Sequence, residues 1–117
     1  MRISHLTMTT LLALTSATAA SAHAFLDHAE PRVGSTVATA PKEVVLSFTQ
    51  KLEPAFSSIE VSDANGARVD LGKPGIGAST MRVGLRQLPP GAYHVRWRVL
   101  SVDTHTTEGR FRFNVGK

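Results

Sequence analysis

Residues 92–100 read Ala92-Tyr93-His94-Val95-Arg96-Trp97-Arg98-Val99-Leu100. Tyr93, Val95, Trp97 and Val99 alternate with His94, Arg96, Arg98 and Leu100. This period of two sends one row of side chains to a core and the other to solvent. The same pattern recurs on either side. Glu43 to Thr49 sets Val44, Leu46 and Phe48 against Val45, Ser47 and Thr49. Ser58 to Ser62 sets Ile59 and Val61 against Glu60. Thr80 to Arg86 sets Met81, Val83 and Leu85 against Arg82, Gly84 and Arg86, and Arg110 to Val115 sets Phe111, Phe113 and Val115 against Arg110, Arg112 and Asn114. Asn65-Gly66 marks a tight turn into a further strand at Ala67 to Leu71.

Pro- and Gly-rich breaks separate these segments at Pro31 to Gly34, Ala40-Pro41, Gly72 to Gly77 and Leu88 to Gly91, and Lys51 to Ser57 reads as irregular or a single helical turn. An extended stretch near Phe25 to Glu30 brings the count to about seven. Strands with one polar face point to antiparallel pairing. The expected fold is all-β, an immunoglobulin-like Greek-key sandwich or barrel.

The chain opens Met1-Arg2-Ile3-Ser4-His5, continues through the apolar Leu11-Leu12-Ala13-Leu14 and reaches Ala20-Ser21-Ala22. A basic start, a short apolar segment and a small-x-small site are the layout of a secretory signal peptide, here residues 1–22. Removing 22 of 117 residues leaves 95, a single domain spanning 23–117 with His23 first. Ala17-Thr18-Ala19 and Ala22-His23-Ala24 satisfy the same rule, so the first residue depends on which site is cut.

Without the leader, 12 bases face 9 acids. The arginines are scattered singly, which reads as solubility rather than a nucleic-acid footprint. There is no cysteine. This excludes disulfides, a lipoprotein anchor and any thiolate metal site. No stretch of 23–117 approaches the roughly 20 apolar residues of a membrane helix.

An N-terminal histidine presents two nitrogens to a metal, its α-amine and its imidazole. Asp103-Thr104-His105 supplies a carboxylate and a second imidazole two residues apart, on one side of an extended segment. Together His23, Asp103 and His105 make a site of about three nitrogens and one oxygen. Such a set in tetragonal geometry suits Cu(II), whereas Zn(II) prefers a tetrahedron and Cu(I) prefers sulfur. Met81 is the one methionine after the leader, and it falls on a core face. His28 is a surface residue or a spare ligand. Thr104, Thr106 and Thr107 are potential donors to Asp103, and Glu108 is close enough to support the site, though exposure to solvent is the simpler reading.

At this point the chain resembles the CopC family of exported copper-binding proteins linked to copper resistance. The resemblance is carried by His23-Ala24-Phe25-Leu26, Pro31 to Val37, Ala40-Pro41-Lys42, Val45 to Phe48, Lys51 to Ser57, Leu88 to Tyr93, Val95 to Val99, Ser101-Val102-Asp103-Thr104-His105 and Gly109 to Val115. It implies an immunoglobulin-like β-barrel in the periplasm and one Cu(II) ion per chain, held by His23, Asp103 and His105. It also implies cleavage after Ala22, and a non-enzymatic carrier that hands copper to an inner-membrane copper transport protein. The methionine-rich Cu(I) loop of some members is missing, so Cu(II) alone is expected. Gln50 stands where many members carry an acid. Two other readings fit less of the sequence. One is a copper-dependent oxidative enzyme built on a histidine chelate, for which 95 residues leave little substrate platform. The other is a metal-free interaction module.

Overall fold

The computed structural model describes residues 24–117. Within them the chain forms β1 (Leu26–Glu30), β2 (Thr36–Val37), β3 (Glu43–Phe48), β4 (Ser58–Asp63), β5 (Gly75–Gly77), β6 (Thr80–Gly84), β7 (Gly91–Leu100) and β8 (Thr106–Val115), with one 3-10 turn at Pro54–Phe56. The strands make two four-stranded sheets, ordered β1-β3-β6-β5 and β2-β8-β7-β4. The inward rows of both sheets form one core, including Val44, Leu46, Val61, Met81, Val95, Val99 and Phe113. This is a β-sandwich, and the barrel alternative does not hold because the two sheets stay separate.

Three details differ from the expected strands. Ala67 to Leu71 is not a continuous strand, because its hydrogen bonds divide between the sheets. The Val69 amide donates to the Val61 carbonyl of β4 at 2.9 Å, while the Leu71 amide donates to the Gly84 carbonyl of β6 at 2.8 Å. The segment therefore stitches one edge of the sandwich. β5 lies inside what reads as a Gly-rich break, since Gly75-Ile76-Gly77 has only one side chain with which to show a pattern. β2 pairs with β8 in parallel, Thr36 opposite Asn114 and Val37 opposite Val115, where antiparallel pairing was expected. The chain leaves β1 in one sheet and crosses to the far edge of the other, and Gly34, at φ 73°, makes the bend. Its amide donates to the Arg112 carbonyl at 2.8 Å.

β7 and β8 pair over ten rungs, from Gly91–Val115 to Leu100–Thr106. Trp97 lies opposite Gly109, and its indole occupies the space that a side chain there would need. A Cβ on Gly109 would stand 2.5 Å from the indole Cζ2. The other flank of Trp97 meets Phe48 edge-on, with ring centroids 5.0 Å apart. Tyr93 stacks on Phe113 at 5.5 Å and donates its hydroxyl proton to the Pro89 carbonyl.

Asp70 is the buried acid of the edge stitch. Its Oδ1 accepts the Val61 amide at 2.9 Å and the Arg68 Nε at 2.7 Å. Its Oδ2 accepts Arg68 Nη2 at 2.8 Å and the Gly72 amide at 3.2 Å. Burial alone would raise the Asp70 pKa, but the Arg68 hydrogen bonds and the two amides outweigh it and hold the group below its ordinary value. A carboxylate whose pKa falls on folding contributes stability above its unfolded pKa and loses it as pH drops through the folded one.

Asp70→Ala is expected to cost about 1–3 kcal/mol, since it strands a buried amide as well as the guanidinium. The loss should appear in urea unfolding at neutral pH and shrink in acid, where the wild-type carboxylate is itself protonated. Gly109→Ala is expected to cost about 1–3 kcal/mol by overpacking against Trp97, with a changed near-UV signal from the displaced indole.

Candidate metal centre

The tip of the β7–β8 hairpin is a three-residue loop, Val102-Asp103-Thr104, closed by Ser101 and His105. The Thr104 amide donates to the Ser101 carbonyl at 2.9 Å, and the Ser101 amide donates to the His105 carbonyl at 3.0 Å. Thr104 has φ 74°, the left-handed conformation that ends such loops and is normally filled by glycine or asparagine. For a β-branched residue this costs on the order of 1–2 kcal/mol. Asp103 and His105 thus converge across a reversal of the chain. The same-face spacing of an extended strand, on which the expectation rested, is not what brings them together.

The two side chains are 3.5 Å apart, His105 Nδ1 to Asp103 Oδ1. One first-row divalent ion bound at about 2.0–2.1 Å to each would separate two donors by roughly 2.9–4.1 Å, depending on the angle. The pair therefore fits a shared ion. Asp103 is about one-third exposed and His105 half exposed, open enough to exchange a ligand with solvent.

The donor to Asp103 is none of the expected threonines. It is the Ser101 hydroxyl, which is wholly buried beneath the loop and also lies 3.1 Å from the His105 carbonyl. This hydrogen bond holds the Asp103 pKa below its ordinary value, helped by the backbone amide and the ring of His105 and opposed by partial burial. The carboxylate is therefore ready to bind a cation. Ser101 carries no signal of its own in the sequence beyond sitting two residues before the acid.

Thr107 is turned to a different task. Its hydroxyl donates to the Ala24 carbonyl at 2.6 Å, and Ala24 is fully buried. The next residue is held from the other sheet. The Phe25 amide donates to Thr49 Oγ1 at 3.0 Å, and the Thr49 amide donates back to the Phe25 carbonyl at 2.9 Å. The start of the described chain is thus pinned between β8 and the end of β3, two residues beyond His105. The loop itself is braced by Lys51, whose carbonyl accepts the Val102 amide at 3.0 Å.

His23 lies outside the described residues. Among those described, no three His, Cys, Asp or Glu side chains gather as a metal cluster. His28 is exposed on β1 and pairs with Glu30 at 3.2 Å. Glu108 is exposed on β8 opposite Arg98. Met81 is buried without exposure, so its thioether is closed to copper.

A CopC domain matches residues 26–116. The chain belongs to the CopC family. This is a family of copper-binding and copper-transport proteins rather than enzymes, in keeping with the expectation from sequence. The crystal structure of CopC from Methylosinus trichosporium OB3b superposes with a TM-score of 0.76 at 36% identity, covering 80% of this chain and 94% of that one. PcoC, a methionine-rich copper resistance protein from Escherichia coli, gives a TM-score of 0.70 at 31% identity, covering 80% and 98%. Copper transport protein CutJ of Bacillus subtilis is 34% identical over 100 residues, which are 82% of this chain but 18% of that protein. The chain thus spans less than a fifth of that relative's length. Among the described residues, no helix of this CopC-family chain is long and apolar enough to cross a membrane.

Thr104→Gly is expected to raise unfolding free energy by up to about 1 kcal/mol, because glycine enters the left-handed region without strain. Chemical denaturation measures the gain. A copper titration of the same variant should show weaker binding if the stiff threonine holds the Asp103 and His105 side chains in register.

Proposed function

We propose that this CopC-family chain is an exported, periplasmic carrier of one Cu(II) ion, held by the α-amine and imidazole of His23 with Asp103 and His105. The observation that carries this reading is the anchoring of Ala24 to Thr107. Consecutive Cα atoms are about 3.8 Å apart, so the residue before Ala24 starts one peptide from a group fixed beside the Asp103–His105 loop. Cleavage after Ala22 makes that residue the amino terminus. The nitrogen and oxygen donors favour the cupric ion over Cu(I), and the one methionine outside the leader is shut in the core.

A binding protein with exposed ligands at a loop tip can release its ion to another site. Handing copper to an inner-membrane copper transport protein is the task that fits such exposure, and relatives named for copper resistance and copper transport support it. Protons compete for a free α-amine, whose ordinary pKa is about 7.7–8.0, so affinity through the His23 amine falls as pH drops below that range.

Copper titration of residues 23–117 should be compared with the same protein carrying one extra residue before His23. The extension abolishes the amine–imidazole chelate and is expected to weaken Cu(II) binding at least about tenfold, or 1.4 kcal/mol. Equal affinity for the two forms would remove His23 from the site. An isotope-edited electron spin-echo signal from the terminal nitrogen in the loaded protein checks the same ligand directly.

A further inference from the structure

The arginines that look scattered in the sequence are gathered by the β7–β8 pairing. On the outward face of that hairpin Arg96 stands directly opposite Arg110, and His94 opposite Arg112. Arg98 continues the row toward the metal-site end. Like charges on facing rungs destabilise a sheet. Neutralising partners are also within reach by register, since Glu60 faces Arg96 and Glu108 faces Arg98. Yet the ion pairs among the described residues use none of these four guanidiniums. Glu60 instead pairs with Arg68 at 3.2 Å. The four remain available to an external anion.

The same face becomes apolar at its metal-site end. Phe56, Leu100 and Arg98 line one depression. Phe56 is 69% exposed on an uncharged Pro54-Ala55-Phe56 turn. Val102, at the tip of the Asp103–His105 loop, is half-exposed. Cations in a flat array, with an aromatic side chain protruding at its margin, are the features that hold a protein on a charged bilayer surface.

We propose that the outward face of β7 and β8, with Phe56 at its margin, docks on an anionic phospholipid surface. Arginine pairs with phosphate oxygens in a fork. The rows here are spaced about 5 Å across strands and about 7 Å along them. Laterally mobile headgroups can adjust to that lattice, whereas a rigid protein surface would need carboxylates placed to match it. A second copy of this chain presents the same charge and is repelled. Docking in this way carries the Asp103–His105 loop to the membrane margin, independently of whether copper is bound.

The test is co-sedimentation of residues 23–117, which carry every strand of both sheets and lack the apolar leader. The vesicles are phosphatidylcholine alone, or phosphatidylcholine mixed with phosphatidylglycerol. Binding is expected only to the mixed vesicles at low salt, and is lost near 1 M salt, where the screening length is about 3 Å. Arg96→Gln with Arg110→Gln should weaken partitioning roughly five-fold for each arginine removed, while thermal stability holds or rises as the like-charge rung is relieved. Phe56→Ala should weaken binding at every salt concentration without changing its salt dependence. No binding to mixed vesicles at low salt, or binding unchanged in the double arginine variant, overturns the proposal. So does capture of soluble polyglutamate by a protein that ignores vesicles, which would assign the face to an acidic protein partner. None of these readouts involves copper, so they stand apart from the metal titrations.

Discussion

Ten consecutive residue pairs join β7 to β8, and a slip of one residue would turn Tyr93, Val95, Trp97 and Val99 out of the core together. The slip is blocked at one rung above all. Trp97 fits only because residue 109 has no side chain, so the register is keyed by a bulky residue against a bare backbone. Phe48 on the opposing sheet closes over the same indole and ties that register to the packing of the two layers. The candidate metal centre and the arginine face both hang from this hairpin. Its closed end presents Asp103 and His105, its inner row near that end anchors Ala24 through Thr107, and its outer row lines up the arginines.

The Val102–Thr104 loop shows where the molecule spends stability. Thr104 in a left-handed conformation is unfavourable, and it persists because the residues around it determine the turn. Ser101 is buried under the loop, Lys51 accepts the Val102 amide, and the last rungs of the hairpin clamp both ends. A stiff, β-branched residue between Asp103 and His105 limits how far the two side chains can drift apart. Preorganisation of this kind favours binding because less order must be imposed on the loop when the ion arrives. The depressed pKa of Asp103 extends the range over which the carboxylate stays ionised further into acid.

The polar decoration divides by location. At the edge stitch, Asp70 and Arg68 satisfy each other and two backbone amides, a structural arrangement with no group left over. On the β7–β8 face, arginines oppose one another and leave nearby carboxylates unused. The first arrangement stabilises the sandwich. The second opposes it slightly and is intelligible as a surface awaiting an anion.

Much of this was legible in the chain itself. Period-two alternation located five of the strands, β3, β4, β6, β7 and β8, and named the core rows, because strand side chains alternate whatever lies across from them. Asp103 and His105 stood out because their chemistry is local and two residues apart. Other features depended on partners distant in sequence. The parallel β2, the Gly75–Gly77 strand and the division of residues 67–71 between two sheets follow from which edges remained open to hydrogen bonding. Ser101 as the donor to Asp103, and Thr107 as the anchor of Ala24, 83 residues away, follow from the hairpin closing. The amino-acid sequence by itself determined an all-β chain with a carboxylate and an imidazole two residues apart, since alternation and side-chain chemistry are properties of neighbours. Only the tertiary structure decided how Ala24 is anchored beside that pair and how separate arginines become one face, since both arise from strand pairing between segments that carry no mark of each other.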